Sequence, residues 1–429
     1  MKKLTVLFTS LLLSLTGFSQ NWIQDSVSVG TRAANHVFYS LTDQSKTVVD
    51  ANSWHLAFSV QPSAFPNNTL QGTTIRTNNG KRVRIFETPF GDSNNFNLPL
   101  DTTGILSWKE LIDSDSTWDI GAFNNGLDMS LLPHQGGPDY GWGAYSSDTK
   151  GVESKGKVYV VTDNFNSFLK KLYIKNLAFD TAFNFTYANL DNTNNVTATI
   201  NKKAYNNKFF VYYNLKTNDI HDFEPAKNNW DIVFTDYYTL ATSSFGPPQK
   251  MSVTGVLHKK GIEVARATDD LPDNVSVENR SFQKDIKHIG YDWKAHLGLG
   301  VYAYPDSLTY LIRVGDKGYK MHFTRFGGVS NGAIVFNLMA LETLSTITPS
   351  KLTNGVSLYP NPTSSTLQID NLQPNAALQI VDLSGQILKN IKSNSNSENI
   401  DLTALKNGIY FVKITQNNTI STHKIIKTN

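Results

Sequence analysis

Val37-Phe38-Tyr39-Ser40-Leu41 followed by Trp54-His55-Leu56-Ala57-Phe58, and Val211-Tyr212-Tyr213-Asn214-Leu215 followed by Trp230-Asp231-Ile232-Val233-Phe234, are one pattern written twice. Each reads as a strand, a polar turn, then Trp-x-aliphatic-x-Phe. Leu41 lies 13 positions before Trp54 and Leu215 lies 15 before Trp230, a difference that a turn absorbs. The match continues in the same order. Tyr140-Gly141-Trp142-Gly143-Ala144-Tyr145 parallels Tyr291-Asp292-Trp293-Lys294-Ala295-His296, and the runs Tyr159–Val161 and Lys171–Ile174 parallel Tyr310–Ile312 and Lys320–Phe323. Last, Phe185–Leu190 parallels Phe336–Leu341. Ordered blocks of this kind predict a duplicated domain, with copies at residues 20–200 and 201–345.

Around these blocks, short alternating runs such as Lys157-Val158-Tyr159-Val160-Val161 are bounded by Asn/Asp/Gly clusters such as Asn78-Asn79-Gly80 and Asp316-Lys317-Gly318. Period-two alternation with turn signals predicts an all-β, antiparallel chain. The one stretch that reads as helical is Ser107-Trp108-Lys109-Glu110-Leu111-Ile112. At 429 residues the chain is long enough for about three domains. Charged residues make up 17% and aromatics 11%, which excludes a disordered chain. Lys+Arg number 39 against 36 Asp+Glu, so the basic stripe that nucleic acid demands is missing. With no cysteine, the chain has no disulfide framework, no thiolate metal site and no lipidated N-terminal Cys. Lys2-Lys3, the apolar run Leu4–Leu15 and small residues at Gly17 and Ser19 predict a signal peptide over 1–19, cut before Gln20. No later run is long and apolar enough to predict a transmembrane helix.

The succession Trp230–Phe234, Val253–Leu257, Gly261–Ala265, Ile289–Lys294, Thr309–Arg313 and Gly318–Phe323 resembles the HmuY family of bacterial haem-binding proteins. The first copy looks like a diverged relative. The resemblance implies two tandem all-β domains and haem, or a related tetrapyrrole, as ligand. It transfers no ligand position residue by residue. Axial ligation needs an imidazole or thioether with a free lone pair. The second copy offers His258, His288, His296 and His322 with Met251 and Met321. His296, after the aromatic cluster, is the first choice, with His258 or His322 as its partner. Tyr145 stands opposite His296 in the first copy.

Other chemistries find little footing. Asp113-Ser114-Asp115-Ser116-Thr117-Trp118-Asp119 alternates carboxylates but lacks the glycine and distant Glu of a calcium loop, and reads as a solvated turn. His134 stands alone, and there is neither a Gly-x-Ser-x-Gly elbow nor a phosphate-cradling loop, so no metal beyond haem iron and no enzyme is expected. Trp118, Tyr140 and Trp142 read as core before they read as a sugar platform.

After Leu344 the small polar residues 346–355 read as a linker, and a third module spans 356–429. It carries Tyr359-Pro360-Asn361-Pro362, Leu383-Ser384-Gly385, and Asn407-Gly408-Ile409-Tyr410 with Gly408 expected in the left-handed region. This order resembles the type A C-terminal sorting domain of the bacterial type IX secretion system, a small β-sandwich. The resemblance implies passage through the periplasm, recognition of residues 356–429 by the type IX machinery, removal of the tail, and a secreted or outer-membrane surface location. The reading is a surface binding protein for haem, working with a haem receptor. The alternative is a structural or adhesive surface protein without a haem pocket.

Overall fold

Alternating apolar residues become antiparallel strands along nearly the whole chain. The computed structural model describes residues 22–428 apart from 63–71, 131–136, 164–167, 244–245, 279, 342–355, 383–385 and 417–418. The signal peptide, the linker and Gly385 lie outside the described residues. The chain divides into two units, Met1–Glu342 and Thr343–Asn429.

The first repeat runs through β1 (Ile23–Ser28), β2 (Asn35–Tyr39), β3 (Lys46–Asp50), β4 (Leu56–Ser59), β5 (Ile75–Thr77), β6 (Arg84–Asp92), β7 (Lys109–Leu111), β8 (Gly143–Ser146), β9 (Gly151–Ser154), β10 (Lys157–Asp163), β11 (Phe168–Ala178) and β12 (Ala182–Ala188). The second runs through β13 (Val196–Asn201), β14 (Phe210–Asn214), β15 (Asp219–His221), β16 (Ile232–Ser243), β17 (Gly246–His258), β18 (Ile262–Ala267), β19 (Ala295–Gly298), β20 (Val301–Ala303), β21 (Thr309–Val314), β22 (Lys317–Phe326) and β23 (Ala333–Leu341). Among the described residues the α-helix is a single turn, Gly328–Asn331. The stretch expected to be helical is a 3₁₀ turn, Ile105–Ser107, followed by β7. Pairing Leu111 with Ile85 and the bidentate Arg84–Glu110 contact at 2.8 and 2.7 Å hold those few residues extended.

The sheets do not respect the expected division at 200/201. One sandwich faces the sheet β15-β14-β4-β5 onto β13-β12-β11-β10-β6-β7, with β8 and β9 joined through β11. The other faces β17-β16-β2-β3 onto β1-β23-β22-β21-β18. Each repeat therefore gives its opening strands to the other. β1–β3 enter the sandwich built by β16–β23, and β13–β15 enter the one built by β4–β12. The registers are equivalent: Tyr39 faces Ile232 and Phe38 faces Val233, as Tyr213 faces Leu56 and Tyr212 faces Ala57. One sandwich is a continuous insert within residues 54–221, and the other is split, 22–50 with 230–341. β1 pairs with β23 as β13 pairs with β12.

Two cores result, and neither belongs to one repeat. That of the inserted sandwich joins Leu56, Phe58, Leu172, Phe183 and Phe185 to Val211, Tyr213 and Leu215. That of the split sandwich joins Ile232, Phe234, Tyr310, Met321, Phe323 and Phe336 to Val27, Val29, Ala33, Val37, Tyr39 and Leu41. Burying each of the larger apolar side chains contributes about 1.5–3 kcal/mol, so the exchanged segment is a substantial part of its host. Trp142 and Trp293, aligned by the repeat, are both buried in these cores.

The C-terminal unit stacks β24 (Ser357–Tyr359), β25 (Thr366–Asp370) and β28 (Ser397–Asp401) in one sheet. The second sheet holds β27 (Ile387–Ser393), β26 (Ala376–Val381), β29 (Gly408–Gln416) and β30 (Thr419–Lys427). Leu367, Ile369, Leu378, Ile380, Ile400, Val412, Ile414 and Ile425 fill the space between them. Gly408 is not in the left-handed region; it opens β29 opposite Lys427.

Candidate functional site

Of the exchanged strands, β2 and β14 are apolar on both faces because both faces are buried. Val37 and Tyr39 enter one core while Phe38 faces the other sandwich; Val211 and Tyr213 enter the second core while Phe210 and Tyr212 face back. The two sandwiches meet there. Phe38, Trp230, Val233, Tyr237 and Leu257 form one cluster, and Trp54, Ala57, Phe210 and Tyr212 the other. Trp118, Phe209 and Phe223 pack against both. Trp54 meets Tyr212 edge-on at 4.9 Å, and Trp230 meets Phe38 in the same manner at 5.0 Å.

This seam encloses about 90 Å³. The Asp113–Asp119 loop, expected to be a solvated turn, closes it. Arg76 donates to the carbonyls of Ser114 (2.8 Å), Thr117 (3.0 Å) and Ile120 (3.2 Å), and its guanidinium lies 5.1 Å from the Trp118 ring. Asp113 accepts from the Ala122 N–H at 2.7 Å and the Thr77 N–H at 3.2 Å, with Arg76 Nε at 3.7 Å. Burial still pushes its carboxyl up to about 6, outweighing Arg76 and the two donors. Asp115 is held by Lys287, and Asp236 by Lys81 at 3.1 Å and Thr254 Oγ1 at 2.6 Å. The Asn78–Arg82 turn docks on the split sandwich through Gly80, whose carbonyl accepts from Ser252 Oγ at 2.7 Å. A Cβ on Gly80 would stand 2.1 Å from the Asp236 carbonyl oxygen, so close approach, not positive φ, selects glycine here.

His36, also at the seam, is neutral: burial, aided by Lys81, holds it down to about 3. Its Nε2 accepts from Trp54 Nε1 at 3.0 Å, so the proton sits on Nδ1, 2.6 Å from Thr235 Oγ1. Glu224 is buried with Oε1 accepting from the Phe209 N–H at 2.7 Å and Oε2 from Tyr212 Oη at 2.9 Å. Burial raises it to about 7 against those donors. Arg76, His36, Asp113, Asp236 and Glu224 are thus spent on neighbouring side chains and on the backbone, and the seam presents a joint.

The histidines singled out from the sequence lie on separate elements, and His258 alone touches the seam, through its carbonyl, which accepts from Trp118 Nε1 at 2.8 Å. His258 ends β17 with Nδ1 3.0 Å from the Lys259 carbonyl and Nε2 2.8 Å from that of Asp285, which leaves no nitrogen for iron. Burial keeps it below its ordinary value although both carbonyls favour the charged ring. His322 has Nδ1 2.9 Å from the Leu308 carbonyl and sits half-buried on the sheet face opposite Tyr319, Met321 and Phe323. His296 is exposed on β19, its ring 5.1 Å from Tyr302. None of the three lines the seam or the cavity of about 300 Å³ beside Tyr140, Tyr145 and Lys150. Among the described residues no three or more His, Asp or Glu side chains are grouped to hold a metal ion. Tyr140 and Trp142 are core, as expected; Trp118 is not, and forms the seam wall.

In the C-terminal unit, Asn361 clamps the last strand. Its Nδ2 donates to the Lys424 carbonyl at 2.8 Å and its Oδ1 accepts from the Ile426 N–H at 2.9 Å. Tyr359 Oη donates to Asp370, and Thr363 exchanges backbone bonds with Ile426 (2.9 Å) and Thr428 (2.8 Å). The Tyr359–Pro360 and Asn361–Pro362 peptides are both cis.

Residues 357–428 match the secretion system C-terminal sorting domain family. No curated protein matches the chain. Among solved structures there is a match to PorZ, described as an essential bacterial surface component of the type IX secretion system of Porphyromonas gingivalis. It covers 65% of this chain and 43% of that one at 11% identity, with a TM-score of 0.17. These matches give the HmuY resemblance no support. No helix among the described residues is long and apolar enough to cross a membrane. The sorting domain marks the chain for handling by the type IX machinery and for a secreted or cell-surface location.

Proposed function

We propose that this is a type IX-exported surface protein whose β body serves as a structural or adhesive scaffold, not as a haem carrier. The observation that carries the reading is the fate of the histidines. His258 has both nitrogens against carbonyls, His322 has one committed, and His296 stands exposed on a separate hairpin. A porphyrin needs a slot in the usual ligand range of roughly 300–1,000 Å³ with its ligands facing inward. The seam falls short in volume, and its His36, Asp113 and Glu224 side chains are already partnered. The test is a haemin titration of the full chain followed by absorbance. No saturable sharp Soret band is expected. A low-spin spectrum that reverts to high-spin in His296→Ala would restore the haem reading.

A further inference from the structure

The two exchanged segments are tied to their hosts in different ways. β13 follows β12 through the turn at 189–195 within one sheet, so residues 196–221 are hairpinned onto the inserted sandwich. β1 lies beside β23, yet no chain joins that pair, since β1 opens the described chain and β23 closes the unit. The two parts of the split sandwich are therefore joined by strand contacts and by way of the inserted sandwich, with no direct turn between them. Val27 faces Ile334 and Tyr39 faces Ile232 across paired strands. Tyr39 packs edge-on against Phe234 and Phe336. The Leu41 N–H donates to Asp231 Oδ2 at 2.8 Å, and Thr31 Oγ1 to the Ser330 carbonyl at 2.8 Å.

We infer that a second copy of this chain is a partner: residues 22–221 of one copy complete residues 230–341 of another, reciprocally, in the register seen within the chain. The surface is demonstrably complementary, because the chain's own segment occupies it. The repeats themselves already prefer the other's opening strands to their own, which is the arrangement two separate chains would adopt by swapping. Passing to the exchanged pair keeps every contact of the cores and the seam and asks only the connection after Glu224 to open. Phe223 and Glu224 are anchored on the inserted sandwich, by the Phe223 stack on Tyr212 at 4.3 Å and the Glu224 bonds. Residues 225–229, half-buried or exposed, are the hinge. Extended, five residues reach roughly 17 Å. Since both forms share the same contacts, concentration sets their balance. The inference supplies a partner for the proposed scaffold role; export and haemin data judge that role separately, so failure here leaves it standing.

The chain has no cysteine, which makes the test direct. Val27→Cys is placed in one tagged full-length chain and Ile334→Cys in a differently tagged one. The two are unfolded and refolded together over a range of concentrations, then oxidised. Paired strand positions lie within the Cα range that a disulfide accepts. The expected result is a disulfide dimer carrying both tags, absent from either variant alone and rising several-fold with concentration. A chain bearing both substitutions reports the within-chain bond. Gln24→Cys with Asn337→Cys repeats the test at a pair outside the core, in case the buried substitutions impair folding. Cross-linking only within the doubly substituted chain, with no mixed dimer at any concentration, would overturn the inference.

Discussion

Trp54 donates its indole N–H to His36 Nε2 at 3.0 Å. Trp230, its counterpart in the second repeat, is buried with no acceptor for Nε1. The register explains the asymmetry: Phe210 stands where His36 stands in the first repeat, and a phenyl ring offers no lone pair. His36→Phe should therefore orphan Trp54 as well and destabilise the chain by about 1–3 kcal/mol. Urea unfolding followed by tryptophan fluorescence checks this, and an unchanged midpoint would refute the role given to the imidazole.

Protonation of the buried groups, three at the seam and His55 inside the inserted sandwich against Phe168, works in two opposed directions. Burial raises Glu224 to about 7 from 4.5 and Asp113 to about 6 from 3.8, so the folded chain holds protons that the unfolded chain has released, and both groups make stability fall as pH rises through those windows. Burial lowers His36 to about 3 and His55 to about 4 from 6.5, so these two make stability rise with pH up to 6.5. Between about 4.5 and 6 the four offset one another. Glu224→Gln removes one opposing group. Across pH 4.5–7 its stability should climb relative to the parent by about 1.4 kcal/mol per pH unit, as read by denaturation at stepped pH. Parallel curves would exclude Glu224 as a titrating group.

Gly80→Ala sets a methyl 2.1 Å from the Asp236 carbonyl oxygen, a backbone atom that cannot swing aside. A loss of at least 1–3 kcal/mol, approximately, is expected. The damage should appear first as loosening between the sandwiches, measured as faster amide exchange at the Asn78–Arg82 turn and along β16. Exchange confined to other regions would contradict the docking described for this turn.

Removing residues 343–429 should leave the β body folded by circular dichroism and stranded in the periplasm. Asn361→Ala, which deletes two bonds to the last strand, should lower the melting point of the tail and reduce surface delivery. Fractionation with surface labelling distinguishes these outcomes from normal export.

Individual strands were readable because alternation and unbroken apolar runs such as Ile232-Val233-Phe234 depend on local sequence alone. Their partners were not, since Tyr39 suits Ile232 in the same way that Tyr213 suits Leu56, and nothing in either run states which docking wins. The Asp113 loop looked solvated because Arg76 and Thr77, which capture it, lie far upstream in the chain. His258 looked available for the same reason: the Asp285 carbonyl that occupies its Nε2 is 27 positions away. In the tail, by contrast, Tyr359–Pro362 identified the module, and its match extends over 357–428.

The pairing of β1 with β23 also sets how the body would bear tension. The two strands are antiparallel, with Ile23 opposite Leu338, so residue 23 and residue 341 emerge at the same end of the pair. A pull applied between them opens the ladder like a zipper, loading its hydrogen bonds one rung at a time instead of all together in shear. The first rupture is then β1 peeling from its neighbour at low force, with the inserted sandwich outside the line of load. Only after the opening strands have come away does the strain pass through residues 54–221, whose ends are held within a continuous sandwich.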